Sequence, residues 1–129
     1  MSKLIAQPQS VGEKIRNRRL ELRLTQKECA QILGVCEDSI HLWENNHHEP
    51  DIQQMPKIIS FVGYVPVECD TDSLQGKLKM FRYQQGLSQE KLAQLVGVNE
   101  STIYHFESGK HTPFPKTLKK IEKLLSENM

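Results

Sequence analysis

Behind Ser10, apolar Val11, Ile15 and Leu22 fall on one helical face, and Arg16, Arg18, Arg19 and Arg23 occupy the remainder. Ser10-x-x-Glu13 has capping-box spacing, so a helix is expected to start there. Thr25-x-x-Glu28 is a second box and opens a helix from Gln26 to about Leu33, which Gly34 ends by supplying a left-handed turn. A third short helix is expected from Cys36 or Glu37 to about Asn45, followed by a polar loop from Asn46 to Gln54. A last helix, Lys57 to Val62, has Pro56 in its first turn and Gly63 after it. The pattern then breaks. Tyr64 to Ser73 carries a proline, three acids and no helical periodicity, and it reads as a connecting segment that spans about 30 Å if fully extended.

After the break the plan is written again. Leu24-Thr25-Gln26, Ala30-Gln31, Gly34-Val35, Ile40, Glu44 and Pro50 return as Leu87-Ser88-Gln89, Ala93-Gln94, Gly97-Val98, Ile103, Glu107 and Pro113 at an offset of about 63 residues, without a gap. Ser73 is expected to cap a helix to about Gln85, Gly86 to break it, and Ser88 to cap the next. Gly97 then makes the turn, a helix runs from about Glu100 to Ser108, and Pro115 starts the last one. No strand signal competes, because the β-branched cluster Ile58 to Val67 is broken by Gly63 and Pro66. The expected fold class is therefore all-α, as two tandem domains of four to five short helices each. The expected boundaries are 10–66 for the first domain, 67–73 for the linker and 74–127 for the second.

Composition changes this picture little. At 129 residues, 37% hydrophobic and 26% charged, the chain has the make-up of an ordinary globular protein. No apolar run approaches the roughly 20 residues of a membrane span, and the first nine residues carry Lys3 without an apolar stretch, so neither a membrane partner nor a secretory signal is expected. Cys29, Cys36 and Cys69 are odd in number and lack CxxC spacing, which reads as reduced thiols and a cytoplasmic location. The net charge of +1 hides an asymmetry. Residues 10–66 hold seven Lys and Arg against eight Asp and Glu, while residues 74–129 hold nine against five. Phosphate binding needs a local patch and not a basic average, so the second module has the better electrostatic case.

Both copies resemble the lambda-repressor-like helix-turn-helix module of the Cro/cI or XRE family. The matching words are Leu24-Thr-Gln-Lys-Glu-Cys-Ala-Gln-Ile-Leu-Gly-Val with Ser39-Ile-His-Leu-Trp-Glu-Asn, and Leu87-Ser-Gln-Glu-Lys-Leu-Ala-Gln-Leu-Val-Gly-Val with Ser101-Thr-Ile-Tyr-His-Phe-Glu-Ser-Gly-Lys. Ala30 and Ala93 then stand where helices cross closely. Val35, Ile40, Trp43, Val98, Ile103 and Phe106 form core-facing stripes. The resemblance also implies an internal ion pair between an arginine of the first helix and a glutamate of the third: Arg19 with Glu44, and Arg82 with Glu107.

The same resemblance implies double-stranded DNA as the partner. Base contacts fall to the outer face of the third helix: Glu100, Ser101, Tyr104 and His105 in the second copy, Glu37, Asp38, His41 and Leu42 in the first. Phosphate contacts fall to the start of the second helix and the loop after the third: Gln89, Ser108, Lys110 and His111, and Gln26, Asn45 and His47. The second loop keeps the family's glycine and lysine. The first replaces them with Asn46 and His47, and Glu37 and Asp38 put two negative charges toward a polyanion.

The implied function is a sequence-specific transcriptional regulator whose two modules read adjacent half-sites. The alternative is an antitoxin-like or adaptor protein in which one module docks another protein, or a second copy of the chain as a homodimer, and only the second binds DNA. No cofactor, catalytic set or small-molecule substrate is expected. His41, His47, His48 and Cys36 match no zinc-finger spacing, so no metal is expected either.

Overall fold

Eight short helices account for the regular structure of the computed structural model, which describes residues 4–110 and 112–128; no strand occurs among them. The chain divides into two compact units, Met1–Val67 and Glu68–Met129. The first holds α1 (Val11–Glu21), α2 (Gln26–Leu33), α3 (Glu37–Glu44), a 3-10 turn at Ile52–Gln54 inside the expected polar loop, and α4 (Met55–Val62). The second holds α5 (Leu74–Gln85), α6 (Gln89–Val96), α7 (Glu100–Glu107) and α8 (Pro115–Glu127). Five of these helices have eight residues. Helices that short are marginal alone in water, so packing decides their stability.

The caps follow the sequence closely. Thr25 and Glu28 form a complete reciprocal box. At Ser10 only half forms: its hydroxyl accepts the Glu13 N–H at 3.0 Å, but the Glu13 carboxylate accepts from Gln9 N–H at 3.1 Å. Gly34, Gly97 and Gly86 end their helices with φ of +70°, +85° and +68°. One expectation fails at the end of α1. Leu22 lies beyond the last helical turn and is 44% exposed, because the helix stops at Glu21 and the chain turns at Arg23 with φ +57°.

The core of the first unit gathers Ile15, Leu33, Ile40, Trp43, Ile58 and Phe61, and that of the second Leu78, Leu92, Ile103, Phe106 and Ile121. Each such side chain contributes about 1.5–3 kcal/mol by leaving water. Ala30 and Ala93 are buried, as their small size allows. Gly12 permits a closer approach still. A Cβ there would overlap the Trp43 carbonyl, so α1 presses on the end of α3 and carries Arg19 alongside Glu44. The connecting segment is packed at both ends. Pro66 is buried and its carbonyl accepts from Lys14 Nζ at 3.1 Å in the first unit. In the second, the Asp70 backbone fills the space a Cβ on Gly76 would need, and Lys79 Nζ donates to the Glu68 carbonyl at 3.2 Å.

Candidate nucleic-acid interface

In the second unit one glutamate ties three helices together. Arg82 of α5 donates from Nε and Nη2 to Glu107 of α7 at 2.8 and 2.9 Å, and from Nη1 to the Leu87 carbonyl at 3.2 Å. Gln89, the first residue of α6, adds a 3.4 Å contact from Nε2 to the same carboxylate. The arginine and glutamate side chains are 9% and 6% exposed, so both charges are satisfied inside the fold. The first unit repeats this geometry. Arg19 reaches Glu44 at 2.7 and 2.9 Å and the Leu24 carbonyl at 2.9 Å, with Gln26 Nε2 at 3.3 Å. The hydrogen bonds to Glu44 raise the Arg19 pKa above its usual value. In both units the glutamine side chains turn to the internal carboxylate, while their own N–H groups remain at a helix start, where an anion is favoured.

With its inner face held, α7 turns Glu100, Ser101 and Tyr104 to solvent. His105 differs from them. Its ring is half-buried, lies edge-on to Tyr104 with centroids 5.3 Å apart, and shares a recess with Ser101, Thr102, Thr112, Phe114 and Thr117. In the loop that follows, Ser108 and Lys110 are exposed, Ser108 Oγ donates to the His105 carbonyl at 3.0 Å, and Gly109 adopts φ +75°. His111 lies outside the described residues.

In the first unit Glu37, Asp38 and His41 are exposed on α3 and Leu42 is half-buried. The loop after α3 is tied back to α1. Asn46 takes φ +60° at the position where the second copy has Gly109, accepts from Ser10 Oγ at 2.7 Å and donates to Glu13 Oε2 at 2.7 Å. That bond, followed by the one from Gln9, lowers the Glu13 pKa. Asn45 Nδ2 donates to the His41 carbonyl at 2.8 Å, capping α3, and His47 is exposed. Cys36, at the start of α3, has a thiol lowered by the Ser39 hydroxyl at 3.2 Å.

Phe114 lies outside the residues that the family resemblance implies. It is 83% exposed and stands beside Ser101 and His105. The available signal was an aromatic between Pro113 and Pro115, outside any helical face. Among the described residues no helix is long and apolar enough to cross a membrane. No curated protein and no solved structure matches the chain. Residues 78–128 match the helix-turn-helix family model, which supports the second unit as a helix-turn-helix module.

Proposed function

We propose that the chain is a sequence-specific, DNA-binding transcriptional regulator of the cytoplasm, and that its two units are tandem modules reading adjacent half-sites. The observation that carries this reading is the outward face of α7, held from behind by Arg82 and Glu107. A recognition helix needs that combination: rigid behind and polar in front. Glu100 suits cytosine N4, Ser101 several base edges, and Tyr104 and His105 the same groove. Gln89, Ser108, Lys110 and His111 are assigned to phosphates. In the first unit the corresponding roles fall to Glu37, Asp38, His41 and Leu42 for bases, and to Gln26, Asn45 and His47 for phosphates. The two third helices differ, so the expected operator is an imperfect repeat with half-sites about 34 Å apart.

The exposed Glu37 and Asp38 favour a second reading for the first unit alone, in which it docks a protein or another copy of the chain while the second unit holds DNA. Salt dependence separates the two readings, since phosphate contacts release counterions and apolar docking does not. Lys110→Glu should weaken binding to every duplex, whereas His105→Ala should relax preference at one base position. Uniform loss from both changes would mean that α7 does not read bases.

A further inference from the structure

The positive balance of the second unit does not reside on its reading helix. Among the described residues of α7, Glu100 and Glu107 are acidic and no lysine or arginine is present. The cations concentrate on α8, where Lys116, Lys119, Lys120 and Lys123 are all exposed. At about 100° per residue, positions 116, 119 and 123 share an arc of about 60°, opposite the buried Ile121 and Leu125. They form a ridge about 10 Å long.

Comparison of the two copies isolates this ridge. Lys120 has a counterpart in Lys57, and each lies over the glycine that ends the second helix of its unit, Gly97 and Gly34. A cation there suits the carbonyl end of a helix, so that lysine has a structural task in both units. The other three have none. The first unit carries Gln53, Pro56 and Ser60 at the corresponding places.

The ridge is also badly arranged for helix stability. Lys116–Lys120 and Lys119–Lys123 are like charges four residues apart, and the first turn of α8 contains no acid to complement its dipole. Among the described residues, Glu127 lies 3.9 Å from Lys123. Lys116 therefore faces the positive end of the helix dipole, and Lys119 and Lys123 repel one another, so an external anion would relieve both.

The end of α8 bears on which anion that is. Thr117, in the first turn of α8, shares the recess of Ser101 and His105, so the N-terminal end of α8, where Lys116 lies, stands beside the outer face of α7. We propose that Lys116, Lys119 and Lys123 form a second contact surface for duplex DNA, gripping backbone phosphates that flank the segment read by α7. This rests on the DNA-binding reading above and adds a contact outside the recognition helix and its loops.

The test uses the full chain and a Lys116→Gln/Lys119→Gln/Lys123→Gln variant, with binding measured by fluorescence anisotropy across a salt series. One duplex carries only the sequence that the parent chain selects from a random pool, and another extends it by ten base pairs on each side. On the long duplex the variant should lose about 0.9 of log–log salt slope per phosphate contact removed, close to 2.7 in all. On the short duplex the loss should be smaller, and base preference should be the same on both. The variant's melting temperature should be unchanged or higher, since like-charge repulsion is relieved. Equal slopes for variant and parent on the long duplex would overturn the ridge while leaving α7 as a reader. A parent that binds neither duplex at low salt would overturn both. Loss of binding to vesicles of anionic lipid, with DNA slopes unchanged, would assign the ridge to another partner and overturn it as well.

Discussion

Replacing Glu44 with alanine takes both carboxylate oxygens from Arg19. The two side chains are 2% and 11% exposed, so water cannot take over the role of the carboxylate. Arg19 would keep the Leu24 carbonyl at 2.9 Å, and the Gln26 amide would lose its acceptor. Breaking a buried pair from one side costs about 3–5 kcal/mol. At about 0.05–0.15 kcal/mol per residue, a unit of this size holds about 3–10 kcal/mol in all. Glu44→Ala should therefore leave the first unit close to unfolding. Trp43, the only tryptophan and 5% exposed, reports that unit by its emission. In a urea titration with a slope of about 1 kcal/mol/M, the midpoint should fall by about 3–5 M, or the unit should be unfolded without denaturant. The exposed pair Arg18–Glu21, 3.5 Å apart, supplies the control: Glu21→Ala should cost under about 1 kcal/mol. Arg19→Met combined with Glu44→Leu should recover most of the loss, because no charge is then stranded. A Glu44→Ala effect no larger than that of Glu21→Ala would refute the view that this pair is a desolvated clamp.

Three further outcomes follow from other residues. Asn46→Ala should cost the first unit about 1–3 kcal/mol, from a left-handed backbone and two lost hydrogen bonds, and Asn46→Gly less, because glycine removes the backbone strain; equal costs in the urea midpoint would contradict this. Glu13 and Glu28 are both held below their ordinary value of 4.5 in the folded unit, so the stability they add is whole above that pH and is lost as pH falls through their folded values. Glu13→Gln with Glu28→Gln should accordingly flatten the acid limb of a Trp43-monitored stability profile, and a limb of unchanged steepness would rule out their part in it. Thiol labelling should be ordered: Cys36 fast, Cys69 slower, and Cys29, pushed up to about 11 by burial, last; early labelling of Cys29 in the native protein would mean that the first core is open.

The sequence carried the local rules of this fold well and its long-range ones unevenly. Thr25, Ser88, Gly34 and Gly97 announce helix ends because capping acts within a few residues. The Arg19–Glu44 and Arg82–Glu107 pairs were legible only through a family resemblance, since nothing in a separation of 25 residues fixes a contact. Leu22 misleads because a helical face says nothing of where the helix stops. Gly12 and Asn46 owe their roles to α3 and α1 respectively, contacts that periodicity does not encode. On α7, Glu100, Ser101 and Tyr104 lie outward, as the family resemblance implies, while the half-buried ring of His105 follows from the Thr112–Phe114 loop beside it. Dividing charge by module pointed to the second unit. Only the helix positions place that charge on α8 and leave α7 without lysine or arginine.

Selecting duplexes from a random pool with the intact chain, at low ionic strength, asks whether α7 reads base sequence. Enrichment of one motif with two unequal half-sites is expected, lost at the α7-read half when Ser101 and Tyr104 are both changed to alanine. A pool that stays random after repeated rounds, or a motif indifferent to those two changes, would contradict it.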